Sequence, residues 1–155
     1  MTTSEQAEAE ALRATIRSRG SLRLALPLAG VIGWAAVVAV LQGQGLPPRA
    51  ALAPLLVLAA TFEAILALHV GVERVGRYLQ VFHEEAHREL GWETRIMAFA
   101  TLPGGGPGLR VDPLFCRLLW LAAVVNLLLA WRPGWMLEWG LVAGCHAAWV
   151  ARVSS

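Results

Sequence analysis

The chain has 155 residues, of which 57% are hydrophobic and 15% are charged, and its formal net charge is +2. Soluble domains carry about 25% charged residues, so this composition indicates an integral membrane protein and disfavours a soluble domain. The small net charge and the lack of a basic run exclude nucleic-acid binding. The length suits a single membrane domain over residues 1–155 with about four spanning helices.

The first predicted element is a cytoplasmic surface helix over residues 1–20, with disorder as the alternative. Thr3 and Gln6 have the spacing of a capping box, and Gly20 is expected to break the helix. The first transmembrane helix (TM1) then covers residues 22–41, since Leu24 to Leu41 contains no charged residue. This run is too long for the apolar core of a signal peptide, and an acidic segment precedes it, so a signal peptide is disfavoured.

The second transmembrane helix (TM2) is predicted over residues 50–72, and it continues into a cytoplasmic amphipathic helix and glycine-rich loop over residues 73–113. Glycine and proline at residues 103–108 predict the loop. Apolar residues of the extension recur at helical spacing and need a cover, which could be the N-terminal helix, the bilayer surface or a partner protein. The members of this stripe are Val72, Val75, Leu79, Phe82, Ala86 and Leu90.

Two further transmembrane helices form a hairpin, TM3 over residues 114–131 and TM4 over residues 134–151. A tight reversal at 132–134 joins them, and Trp131, Trp135 and Trp139 resemble an interfacial aromatic belt. A hairpin that dips into one leaflet is the alternative. The predicted fold is therefore an all-α membrane protein of four transmembrane helices in two hairpins, with a long amphipathic extension of the second.

Arginine distribution predicts the orientation. All 13 basic residues are arginine, a bias typical of a GC-rich bacterial genome. With both termini in the cytoplasm, Arg49 and Arg132 face outward and the other arginines face inward, as the positive-inside rule requires. The expected location is the bacterial inner (cytoplasmic) membrane. The inward arginines are Arg13, Arg17, Arg19, Arg23, Arg74, Arg77, Arg88, Arg95, Arg110, Arg117 and Arg152.

Glu63 lies near the midpoint of the second span, where a carboxylate is costly and suggests a function. It could relay protons or bind a cation, or it could contact a ligand or partner. The simpler interpretation is a hydrogen bond to Asn126 or to a backbone carbonyl of a neighbouring helix.

Two histidines, His69 and His146, are predicted on different helices towards the cytoplasmic half of the membrane. They could ligate a haem or a chlorophyll-type pigment, whereas a bond to a backbone carbonyl is the more ordinary interpretation. No other cofactor is predicted. The Glu-x-x-His spacing at residues 84–87 lacks a second copy, so His83 and its neighbours are predicted to form a solvated, charged face or a docking surface.

Arg74, Arg77, Tyr78 and Phe82 form a predicted docking surface for a lipid phosphate or a partner. No nucleophile, base and acid set suggests an enzyme. The preferred hypothesis is a non-catalytic accessory or assembly subunit of a larger membrane complex. The alternatives are a small oligomeric transporter or channel using Glu63, and a haem- or pigment-binding electron-transfer or light-harvesting component. Expected partners are membrane lipids and other integral membrane subunits or further copies of the chain.

Overall fold

The computed structural model describes residues 3–85, 91, 94, 95, 98 and 113–154, and the regular elements in this part of the chain are all helices. The predicted all-α fold is therefore confirmed. The predicted glycine-rich loop, Ala86, His87 and Leu90 lie outside the described residues. The elements are α1 (Thr3–Gln44), a 3-10 helix (Pro48–Ala51), α2 (Leu52–Leu79), a π-helix (Gln80–Glu85), α3 (Pro113–Leu129) and α4 (Met136–Ser154).

Two helical segments of the described chain are long and apolar enough to cross a membrane, Thr3–Gln44 and Pro48–His83. The burial of their most apolar stretches is low, at 11% and 39%. Helix α3 is apolar but shorter, with 17 residues. Residues 22–41 and 50–72, the first predicted hairpin, lie within these two segments, while the crossing of a membrane by four spans stays a prediction.

Helix α1 continues through Gly20, so the break predicted there is wrong. Glycine in a helix interior costs about 1 kcal/mol relative to alanine, which weakens a helix without ending it. Pro27 also lies inside α1, where it leaves the carbonyl of Arg23 without its usual N–H donor. Helix α1 ends instead before Gly45, whose φ of 61° is the left-handed conformation that favours glycine at a helix C-terminus.

The chain divides into two compact units. Unit 1 comprises Met1–Leu24 and Leu66–Val111, and unit 2 comprises Ala25–Ile65 and Asp112–Ser155. Each unit therefore contains one part of α1 and one part of α2. The assignment of residues 1–155 to a single membrane domain stays a prediction.

In unit 1, the N-terminal part of α1 covers the C-terminal part of α2. Glu8 bonds to Tyr78 and the side chain of Arg19 lies against Gly71, so the two segments run antiparallel. Ala9 of α1 is buried, as is Leu79 of α2. Of the predicted stripe, Leu79 is buried, and which of the three predicted covers lies over the stripe stays a prediction.

Phe82 differs from the predicted stripe because its side chain is 59% exposed. The π-helix explains the difference, since each of its hydrogen bonds spans one residue more than in an α-helix and the side chains after Leu79 are rotated. His83 takes the inward position and is buried. The prediction of a solvated His83 is therefore wrong.

In unit 2, α3 packs on α4, and α4 also contacts the 3-10 helix. Close approach of α1 to α2 depends on Gly30, because a Cβ atom there would overlap the side chain of Thr61. Between α3 and α4, Gly134 with φ 87° forms the predicted tight reversal. The side chains that fill this unit's interior include Leu58, Ile65, Leu119 and Val142.

The surface of unit 2 is apolar and part of its interior is polar. Asn126 and His146 are buried at 2% and 3% exposure, whereas Leu137 is 90% exposed. This distribution is the reverse of a soluble domain, in which polar side chains lie outside. Further exposed side chains are Leu28, Ile32, Val40, Leu56, Leu118, Leu121, Leu128 and Leu141.

Candidate functional site

The buried polar centre of unit 2 joins α3, α4 and the 3-10 helix. The side-chain amide nitrogen Nδ2 of Asn126 donates to the backbone carbonyl of Ala51 at 2.9 Å and lies 2.9 Å from Nε2 of His146. The second ring nitrogen of His146, Nδ1, lies 2.8 Å from the carbonyl oxygen of Val142. The sequence singled out Asn126 and His146 separately, and the structure brings them together.

These contacts define the protonation of His146. A carbonyl oxygen only accepts, so Nδ1 carries the hydrogen that bonds to Val142. Nε2 is then the acceptor for Asn126, whose two amide hydrogens are both used. The imidazole is therefore neutral, and its remaining lone pair is engaged by Asn126. Ligation of a haem or pigment metal by His146 would require this bond to break.

Two polar contacts lie near the chain reversals of unit 2. Arg49 forms an ion pair with Glu138 at 2.9 Å. Arg132 donates to the side chain of Gln42 at 2.9 Å and also to the carbonyl of Leu129. The two arginines predicted to face outward are thus both held by side chains from other helices.

A small cavity of about 30 Å³ adjoins these polar groups. Gln42, Asn126 and Arg132 line it together with apolar residues, two prolines of the first reversal and Pro54 of α2. A volume of this size admits about one water molecule. It is far below the roughly 300 Å³ of a typical pocket for an organic ligand, so this cavity does not suit a cofactor.

Glu63 forms an ion pair with Arg152 at 3.1 Å. The predicted partner Asn126 is engaged elsewhere, so the pairing of Glu63 with Asn126 is wrong. The side chains of Glu63 and Arg152 remain 54% and 50% exposed. The Arg152 guanidinium also lies 5.7 Å from the centre of the Phe62 ring. The carboxylate predicted to be intramembrane thus has a cationic partner from the last turn of α4.

His69 belongs to unit 1 and His146 to unit 2. His69 is 5% exposed, and neither of its ring nitrogens has a hydrogen-bond partner among the described residues. Within the same range, no group of three or more metal-ligating side chains occurs. A shared cofactor between His69 and His146 stays a prediction, and of the two only His69 keeps an unengaged ring nitrogen.

The predicted docking residues share the outward face of α2 and the π-helix. Arg74, Arg77, Tyr78 and Phe82 are all exposed, and Val81 lies beside them with 48% exposure. The rings of Tyr78 and Phe82 are in contact, with centroids 4.8 Å apart and planes tilted by 34°. We call these five residues the α2 docking face. One of its members, Tyr78, also contacts α1.

Glu8 anchors one end of the α2 docking face. Its carboxylate accepts a hydrogen bond of 3.0 Å from the Tyr78 hydroxyl. This bond, and secondly the negative charge of Glu8, raise the pKa of Tyr78 above its ordinary value of 10.0. Tyr78 is therefore a neutral hydrogen-bond donor at physiological pH, with its ring fixed for contact with Phe82.

Sequence reasoning missed Arg152, Gln42 and the carbonyl of Ala51 as members of the polar contacts. Arg152 was treated as one of the cytoplasmic charges, and nothing in its neighbouring residues indicates a bond to Glu63. The signal available in the sequence was that Glu63, a lone charge within an apolar stretch, needs a partner. Backbone carbonyls carry no signal in the sequence.

No protein-family model matches the chain, and neither a curated protein nor a solved structure shows significant similarity to it.

Proposed function

We propose that the protein is a four-span integral membrane protein that serves as a non-catalytic accessory or assembly subunit of a larger membrane complex. Both termini and the α2 docking face lie on the cytoplasmic side. The observation that carries the subunit role is this face, which presents two arginines and two aromatic rings in contact to the exterior.

Membrane insertion is supported by the reversed polarity of unit 2. Leucine side chains point outward from all of its long helices, while Asn126 and His146 are hydrogen-bonded inside. Water would make this arrangement unfavourable, at about 25 cal/mol for each Å² of exposed apolar surface. Hydrocarbon removes that cost and instead requires that buried polar groups find partners.

The orientation is supported by the placement of charge. Arg49 and Arg132 at the reversals are both engaged in polar contacts. Arg74 and Arg77, in the helix that follows the second span, are exposed. Of the 13 arginines, 11 fall on this side of the predicted spans and two at the reversals, and this excess favours the cytoplasmic side.

A protein partner accounts for the α2 docking face better than lipid alone. Phe82 and Val81 remain exposed although Tyr78 beside them bonds to Glu8 of α1. Tyrosine, phenylalanine and arginine are enriched in the buried centres of protein interfaces. The partner expected is a protein with a cytoplasmic surface that has an apolar pocket ringed by acidic groups, carried by another integral membrane subunit.

Native mass spectrometry after gentle solubilisation from the natural host's membranes tests this function. The expected result is the chain at fixed stoichiometry with other integral membrane proteins. Recovery of the chain without any other protein would overturn the accessory role.

Two matched variants test whether the α2 docking face is the contact with the other subunits. Phe82→Ala together with Arg77→Gln is expected to lower the recovery of other subunits at least about tenfold, a loss of 1.4 kcal/mol or more. Arg17→Gln removes an exposed arginine from α1 in the same unit and should leave recovery unchanged. Equal recovery in both variants would exclude the α2 docking face as the contact.

A further inference from the structure

The geometry points to a second binding surface, at which the Glu63–Arg152 ion pair binds another copy of this chain. This inference rests on the proposed insertion of the protein in a membrane. It concerns unit 2 alone and is separate from the α2 docking face. The surface consists of the exposed side of α2 around Glu63 and the exposed side of α4 that ends at Arg152.

The apolar stretch around Glu63 makes the exposure of its carboxylate unfavourable in a membrane, whereas Arg152 lies at the cytoplasmic end of the last predicted span. Glu63 is the sole charged residue of the chain between Arg49 and Glu73, so a large apolar stretch surrounds it. Its side chain is nevertheless 54% exposed, and that of Arg152 is 50% exposed. Charges within a membrane face a protein interior or an aqueous cavity, because contact with hydrocarbon is costly. A covering protein surface would satisfy that requirement.

Charge complementarity identifies the covering surface as a second copy. The patch carries one acid and one base side by side, at 3.1 Å. An interface around a two-fold axis joins the same patch on both subunits, so the patch must be complementary to itself. Under such an axis, Glu63 of each copy can approach Arg152 of the other, and the four charges alternate in sign. A patch with a single sign of charge would repel its copy.

The shape of the surrounding surface allows close approach. Ala53 and Ala60 lie on the same exposed face of α2 as Glu63, and Gly140, Gly144 and Ala148 are exposed on α4. A Cβ atom added at either glycine would have no neighbour within 4 Å among the described residues. Small outward residues let membrane helices pack with their backbones close together. The charges select the partner, and the small residues let it approach.

Charge reversal tests whether the pair acts between copies. Two differently tagged copies are expressed together, and recovery of one tag with the other is measured in mild detergent. Wild-type copies are expected to co-purify. Glu63→Arg alone leaves four positive charges at the interface and Arg152→Glu alone leaves four negative charges, so each should lower recovery at least about tenfold.

In a mixed dimer of the two variants, each contact across the interface again joins a positive and a negative charge. Co-expression of Glu63→Arg with Arg152→Glu is therefore expected to return recovery to the wild-type level. An ion pair that acts only within one chain stays broken in both variants, and recovery would not return. That result, or wild-type copies that do not co-purify, would overturn the inference.

Disulfide cross-linking in native membranes gives an independent measurement that needs no charged substitution. Ala60→Cys, in a chain with Cys116→Ala and Cys145→Ala, is expected to form a covalent dimer on oxidation. Leu121→Cys is the control, since Leu121 is 58% exposed on α3, outside this surface. Equal dimer formation at both positions would overturn the inference. A cross-link from Ala60→Cys to a different protein would also overturn it, while leaving the accessory role supported.

Discussion

Replacement of Asn126 by leucine tests the polar centre of unit 2. Leucine is similar to asparagine in size, so the substitution removes two hydrogen bonds with little change in packing. The bonds lost are those to the carbonyl of Ala51 and to Nε2 of His146, each 2.9 Å long. Both partners are then left unsatisfied inside the protein.

The expected loss of stability follows from these two bonds. Hydrogen bonds between membrane helices contribute about 0.6 kcal/mol on average and about 1.7 kcal/mol at most. Two bonds therefore predict a decrease of about 1–3 kcal/mol in the free energy of unfolding of the Asn126→Leu protein. Truncation of an exposed residue on the same helix, Leu121→Ala, is expected to change it by less than about 0.5 kcal/mol.

Reversible unfolding in mixed micelles, followed by helix circular dichroism, measures these differences. A double-mutant cycle with His146→Leu isolates the bond between the two side chains, for which we expect a coupling energy of about 0.6–1.7 kcal/mol. A coupling below about 0.3 kcal/mol, within the usual additivity of independent sites, would refute the assigned contact. An Asn126→Leu protein as stable as the Leu121→Ala control would refute the whole polar centre.

Two further predictions concern single helix contacts. Tyr78 is the chain's one tyrosine, so tyrosinate absorbance reports on it alone: Glu8→Ala should lower its pKa towards 10.0 from the raised value. Because folding raises the pKa of Tyr78, the Glu8–Tyr78 bond stabilises the protein below pH 10.0, and this stabilisation is lost as pH rises through the folded pKa. Identical titrations of the wild-type and Glu8→Ala proteins would contradict the bond. Gly30→Ala should destabilise the protein by about 1–3 kcal/mol in chemical unfolding through overlap with α2, whereas Gly20→Ala, with open space around it, should stabilise α1 by up to about 1 kcal/mol. Changes of stability with the same sign for Gly30→Ala and Gly20→Ala would contradict the close approach at Gly30.

Apolar runs and turn residues predicted much of the fold. The uncharged stretch after Leu24 gives a helix, and the proline and glycine at residues 133–134 give a reversal, because both signals are local. The break expected at Gly20 failed because a single glycine lowers helix propensity without removing a hydrogen bond. The burial of His83 could not be read from its charged neighbours, since a π-helix changes which side chains share a face.

The candidate site was less accessible from sequence than the fold. Cost in an apolar environment singled out Glu63, while Asn126 was named as its possible partner and His146 as a candidate cofactor ligand, and each has a hydrogen-bonding partner. The partners themselves depend on how helices pack. The ion pair to Arg152 joins positions 89 residues apart, and no periodic pattern connects them.

The contact between Asn126 and Ala51 bears on how the protein is made. The acceptor precedes the donor by 75 residues, so a ribosome completes the first hairpin well before Asn126 emerges. The carbonyl of Ala51 lies at a chain reversal, where water can bind it in the meantime. Asn126 arrives with His146 on the same hairpin, and the two can satisfy each other during insertion. Asn126 and His146 then need not enter the lipid without a partner, and the two halves are expected to assemble even when synthesised as separate polypeptides.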